Sequence, residues 1–438
     1  MSGSKIESVV QTRPLCGVNL RRNSFIVGLV FLVFFVLSLL TNILGPIIPD
    51  IINSFHVSLA AAAFLPFSFF LAYGILSIPG GFLVERFTEK PVMEVSFVAA
   101  MLGAIGFALH PTYWVAVVSL FTIGSGMAML QVAINPLLRV AGGEEHFAFN
   151  SALAQFVFGA GSFISPHIYS YMVNALPEAS QHGQILQALA RITPQPLQWV
   201  SVYWIFAAVA AVMILVIGVA RFPAIERQED ERVGTAGTYL DMLRRPMVWL
   251  YFGCIFAYVG SEQGTADWIS RFLSQYHGFD PHTTGASAVG WFWGLMTAGC
   301  FLGMILLKAF DSRRVLLGFS VGALITLSAA LFGPASVSLY AFPAVGFFAS
   351  IMWPTVISLA LNSVSEHHGT FAGILCTGIA GGAVVPLVIG KLGDIAGLRF
   401  GMTFLYITFG CVLSVGLWSR PLITNATFGA KTEPLNAR

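Results

Sequence analysis

Glu262 is an acid in a place where acids are costly. It lies 16 residues past Pro246 in an apolar run, about 24 Å along a helix rising ~1.5 Å per residue. An ionisable group at such a depth points to ion or substrate handling. A carboxylate there can take a proton or sodium ion, or accept bonds from ligand hydroxyls. The plainer alternative is a structural acid paired near a bilayer surface. Gly260 and Gly264 flank it and are expected to let the helix bend or unwind. Amides recur in other apolar runs. Gln131 and Asn135 share one helix face at i, i+4, Ser38 and Asn42 form a similar pair, and Asn150 and Gln155 add two more. An amide pairs donors with acceptors, which suits vicinal hydroxyls, although helix–helix hydrogen bonding would also use it. Trp353 (next to Pro354), Trp291 and Trp293 offer flat faces for the C–H groups of a sugar ring, while Trp114, Trp199 and Trp249 read as interfacial anchors. Asp267 and Arg271, one turn apart, read as an ion pair at a helix end, with a gate contact as the alternative.

The elements that carry these residues are membrane spans. Hydrophobic residues make up 56% of the 438, charged residues only 10%, and mean hydropathy is +0.80. Twelve runs approach the ~20 apolar residues a crossing helix needs. The expected fold is an all-α membrane protein: an N-terminal tail over 1–23, a six-helix bundle over 24–221, a linker over 222–245, a second bundle over 246–419 and a tail over 420–438. The run from Phe25 to Ile52 is too long for a signal peptide and reads as the first span. Most of the 22 Lys and Arg fall in loops on one side; the other side receives only Arg191, Arg271, Lys391 and Arg399. The positive-inside rule then places both termini in the cytoplasm of a multi-pass cell-membrane protein. QVAINP at 131–136, then Glu144, Glu145 and His146, then Pro166, is echoed by IMWP at 351–354, then Glu366, His367 and His368, then Pro386. Two such halves imply a pseudo-twofold axis with a site between them. Pro46, Pro49, Pro66, Pro79, Pro354 and Pro386 are expected to kink their helices.

Several classes are excluded or disfavoured. No phosphate-binding Gly-x-x-x-x-Gly-Lys-Ser/Thr is present, which argues against an ATP-driven pump. The five cysteines are scattered and suggest neither disulfides nor a metal cluster, and a net charge of +2 gives no sign of nucleic-acid binding. No enzymatic constellation and no cofactor are expected.

GFLVERFTEK at 81–90 resembles the cytoplasmic signature of the major facilitator superfamily. That resemblance implies a cytoplasmic gate at Gly81, Glu85, Arg86 and Lys90, with charges pairing across neighbouring helix ends. LQVAINPL at 130–137, RFPA at 221–224, YVGSE at 258–262, SIMWPTVISL at 350–359 and GGAVVP at 381–386 are similar to the fucose–proton symporter family and its glucose/galactose branch. The resemblance implies uptake of a neutral monosaccharide by cation symport with alternating access, in a protein expected to be a monomer. Fucose–proton symporters carry an Asp where this chain has Asn42 and a Glu where it has Gln131. An amide cannot titrate, so proton coupling through Gln131 is excluded and sodium is placed slightly ahead of the proton. The expected substrate contacts are Asn42, Gln131, Asn135, Asn150, Gln155, Glu262, Trp353 and Trp291, with Glu262, Asn42 and Gln131 holding the ion. A drug or metabolite exporter and a sugar uniporter are the alternatives.

Overall fold

The computed structural model describes residues 24–142, 147–222, 236–364 and 368–420, and no strand occurs among them. Glu144, Glu145, His146, Glu366 and His367 lie outside the described residues. Span one is two helices, Ser24–Thr41 and Leu44–Phe55. Spans two to six are Leu59–Phe87, Glu89–Leu109, Tyr113–Gly142, Phe147–Ala175 and Ser201–Val219. Span seven is Pro246–His277, eight is Ala286–Ala309 and nine is Ser312–Phe332. Span ten is Ala335–Ala349 with Met352–Leu361, and span eleven is His368–Thr377, a tight turn at Gly378–Ala380, and Gly381–Ala396. Span twelve is Leu398–Met402 with Phe404–Trp418. Among the described residues ten helices are long and apolar enough to cross a bilayer. Spans five and seven, 29 and 32 residues long, bring the set to twelve.

Two of the helix breaks have one cause. Proline has no N–H, and its ring crowds the carbonyl four residues earlier. Pro46 lies four residues after Asn42, where span one parts; Pro354 lies four after Ser350, where span ten parts. The freed Ser350 carbonyl accepts from the Cys300 thiol at 3.3 Å. Pro66 and Pro79, by contrast, lie within an uninterrupted helix.

Glycine does the opposite of what the sequence suggested in span seven. That helix runs unbroken through Gly260 and Gly264, because glycine keeps its N–H and so keeps the hydrogen-bond ladder. These glycines instead admit span eleven. A Cβ on Gly260 would fall 2.3 Å from Val385 Cγ2, and one on Gly264 would fall 2.9 Å from Ile389 Cδ1. Gly381 returns the contact, since its Cβ would lie 1.9 Å from the Phe256 carbonyl oxygen.

Spans one to six and seven to twelve form two bundles that meet where span two packs on eleven, five on eight, and the second helix of span one on seven. We call the membrane face where the first described helix starts, at Ser24, and the last ends, at Trp418, the terminal face and the other the distal face. On the terminal face, Lys90 of the expected gate reaches a neighbouring helix end. Lys90 Nζ donates to the carbonyls of Gly218 and Ala220, at 2.7 and 2.9 Å, capping span six. The last carbonyls of a helix are unpaired and carry the negative end of its dipole, so they attract a cation. Arg86 lies over the Phe87 ring at 5.3 Å, and Gly81 is buried. A linker helix, Ala236–Leu243, sets Tyr239 against Gly373. Burial, then the negative charge of nearby Glu85, pushes the Tyr239 phenol up.

Gly381→Ala forces spans seven and eleven apart. It should cost about 1–3 kcal/mol, read as a lower unfolding temperature in detergent micelles. A Gly218→Ala control, whose added Cβ would meet nothing within 4 Å, should leave that temperature unchanged.

Candidate functional site

The two proline breaks face each other across a cavity of about 210 Å³ between the bundles, the space of roughly seven waters. From the first bundle it is lined by Phe34, Thr41 and Asn42 of span one, Phe70 and Tyr73 of span two, Gln131 of span four, and Gln155, Phe158 and Gly159 of span five. From the second come Tyr258, Glu262 and Gln263 of span seven, Trp293, Met296, Thr297 and Cys300 of span eight, and Ser350, Trp353 and Pro354 of span ten. The wall is mixed: polar groups at intervals, aromatic rings between them.

Glu262 is held on both oxygens. The Tyr258 hydroxyl, one turn earlier, donates to Oε2, and Gln263 Nε2 donates to Oε1 at 3.2 Å. Trp353 stands beside this group, its ring centroid 6.2 Å from that of Tyr258. Opposite, Asn42 Nδ2 donates to Ser162 Oγ at 2.7 Å, which fixes the amide and leaves Oδ1 buried without a partner. Trp293 Nε1 and Ser350 Oγ are also buried and unpartnered. Most buried polar groups in proteins have a partner. All three belong to residues that line the cavity, one from the first bundle and two from the second.

Asn42, Gln131, Gln155, Glu262 and Trp353 thus share the cavity, and Asn135, Asn150 and Trp291 do not line it. Asn135 sits one turn toward the terminal face, exposed, its Nδ2 on the Gln131 carbonyl at 3.1 Å. Asn150 is buried against span four, where a Cβ on Gly142 would come within 2.2 Å of its Nδ2. Trp291 is 52% exposed and stacks edge-on to Phe163. Two residues along a helix turn ~200°, so Trp293 faces inward because Trp291 faces out. Sequence reasoning passed over Tyr258, Gln263 and Ser350, although spacing could have found two of them: Tyr258 is four residues before Glu262, and Ser350 four before Pro354. Nothing in the sequence marks Tyr73.

The cavity is shut on the distal face by contacts between bundles. A Cβ on Gly45 would lie 2.5 Å from the Ala266 carbonyl oxygen, so spans one and seven touch there backbone to backbone. His282 Nε2 lies 2.8 Å from Asp50 Oδ1, and the Tyr169 hydroxyl donates to Asp50 Oδ2. Asp394 accepts from the N–H groups of Leu59 and Ala60, at 2.8 and 2.9 Å, capping span two from the other bundle. A carboxylate on exposed helix N–H groups also meets the positive end of the dipole. Toward the terminal face, Asn135, Gln155, Pro354 and Ser358 are exposed, and the cavity opens that way. The expected Asp267–Arg271 ion pair does not form: Asp267 is 2% exposed with Oδ2 unpartnered, and Arg271 Nε is likewise unpartnered.

The sequence pattern of the Major Facilitator Superfamily matches residues 30–386. The chain is 29% identical over 399 residues to a glucose/galactose transporter of Brucella abortus, covering 88% of this chain and 92% of that one. It is 25% identical over 405 residues to the L-fucose-proton symporter of Escherichia coli, covering 86% and 91%. The crystal structure of the Escherichia coli fucose:proton symporter superposes with a TM-score of 0.65 at 21% identity, covering 91% of this chain and 99% of that one.

The distal closure can be loosened at one residue. Asp394→Ala removes both cross-bundle acceptors. Spin labels at the exposed positions His56 and Ile395 should then report a longer and broader distance than in the unmutated background. An unchanged distribution would take Asp394 out of the closure.

Proposed function

The chain belongs to the Major Facilitator Superfamily, and from that membership we propose that it takes up a neutral monosaccharide, a hexose, together with a cation. The lining of one cavity by Asn42, Gln131, Gln155, Gln263, Ser350 and the Glu262 carboxyl, with aromatic rings between them, supports this reading most directly. A sugar presents hydroxyls that donate and accept around a ring whose C–H faces are apolar. Amides, a hydroxyl and an indole N–H meet the first need; Trp353, Tyr258 and Phe158 meet the second. A cavity for amphipathic drugs would have less use for Gln131, Gln155 and Gln263. The names of the relatives, sugar carriers of the same length class, agree with the choice.

The excess of Lys and Arg in the loops of the terminal face supports placing that face in the cytoplasm. The structure then corresponds to the inward-facing step of the cycle. In the outward-facing step the Gly45, Asp50 and Asp394 contacts part and the terminal face closes. Sugar and cation shift that equilibrium only by binding one arrangement better than the other, and a ligand touching both bundles does so. Glu262, the one carboxyl among the described residues that line the cavity, is the group through which the bound cation and the sugar are linked.

The test is uptake of labelled hexoses into proteoliposomes, with sodium and proton gradients imposed separately. Accumulation above the outside level under one gradient is expected; no accumulation under either would leave only a uniporter. Gln131→Ala should raise the half-saturating sugar concentration about tenfold or more, for a lost hydrogen bond of ~1–3 kcal/mol. Glu262→Gln should reduce gradient-driven accumulation more than exchange, and equal losses would remove it from coupling.

A further inference from the structure

Asp267 is a second carboxyl that the cavity reading does not use. It lies one turn beyond Gln263 on the same face of span seven, directly above the cavity. It is 2% exposed, and Oδ2 has no hydrogen-bond partner. The other bundle packs on its backbone: a Cβ on Gly45 would stand 3.4 Å from the Asp267 Cα. The charged groups around it are engaged elsewhere. Asp50 is held by His282 and Tyr169, Asp280 by Thr283 and the His282 N–H, and Asp394 by the N–H groups of Leu59 and Ala60. Arg399 lies over the rings of Phe272 and Tyr276, Lys391 is exposed, and Arg271 makes no ion pair with Asp267. A lone carboxylate is not stable away from water, so this packing accommodates the neutral acid.

We propose that Asp267 is the proton-carrying group of the transport cycle, loaded from the outer water and then sealed beneath the second helix of span one. The inference rests on the uptake reading above and names its coupling ion. When the outer side is open, Asp267 faces water and binds one proton, converting carboxylate to carboxylic acid. Only the neutral form can be covered by Gly45 and its helix, so protonation licenses outer closure. On the inward-facing side the proton leaves through the cavity one turn below. The buried charge left behind destabilises the closed lid, and the empty carrier returns outward.

The experiment uses the full chain in proteoliposomes with sodium equal on both sides, the membrane potential clamped and a gradient of one pH unit. One proton per sugar permits up to ~tenfold accumulation of labelled hexose. Asp267→Asn should bring that ratio to about one-fold while exchange of labelled for unlabelled hexose at equal pH persists. Asp267→Glu should restore accumulation. In detergent, addition of the sugar should draw protons from a weakly buffered indicator solution with the unmutated protein and not with Asp267→Asn. Accumulation by Asp267→Asn equal to the unmutated protein overturns the proposal, as does accumulation driven by sodium alone. Loss of both exchange and accumulation without rescue by Asp267→Glu also overturns it, since that is the behaviour of a structural residue. If the unmutated protein accumulates no hexose under either gradient, it is the uptake reading itself that fails.

Discussion

Inside hydrocarbon a backbone carbonyl has no water to turn to, so every break in a helix must be answered by the protein itself. This constraint organises the molecule. Pro46 and Pro354 each free a carbonyl four residues back, at Asn42 and Ser350. Neither break could face lipid. Both are therefore turned inward, one from each bundle, and the space between them is the cavity. The polar side chains at the breaks are exposed to that space for the same reason. Position of the site and origin of its chemistry are one fact.

Contacts within a bundle and contacts between the bundles have different consequences. Glycine contacts such as Gly381 on the Phe256 carbonyl and Gly346 on that of Phe292 bring backbones close within the second bundle. They make each bundle rigid, since close-packed helices transmit displacement rather than absorb it. The contacts between bundles on the distal face include hydrogen bonds accepted by Asp394 and Asp50, beside glycine crossings at Gly45 and Gly390. Such bonds exchange for water at small net cost when the faces part. Stiff halves joined by exchangeable polar contacts suit a rocking motion about a central site.

Glu262 and Asp267 show how position divides two similar side chains. Five residues separate them on one helix. Glu262 looks into the cavity, where Tyr258 and Gln263 donate to its oxygens. Asp267 lies under a helix of the opposite bundle, and its Oδ2 has no donor. The first can meet a ligand in the cavity and the second cannot while the bundles are closed over it. Two acids of one type thus acquire separate tasks from their surroundings.

The apolar runs, the two bundles, the proline breaks and the five cavity residues Asn42, Gln131, Gln155, Glu262 and Trp353 were legible in the sequence. Each expresses a local rule: polar atoms are costly in lipid, and proline lacks an N–H. Facing was not legible where two neighbours could each point inward, so Trp293 rather than Trp291 reached the cavity. Asn135 and Asn150 stood at suitable depths along their spans, yet one lies below the site and the other is packed against span four. Gly260 and Gly264 looked like weak points and proved to be contact surfaces, and Asp267 looked paired and proved to be sealed. These outcomes depend on which helix lies against which, and that is decided by packing between segments far apart in the chain, where no short-range spacing carries the information.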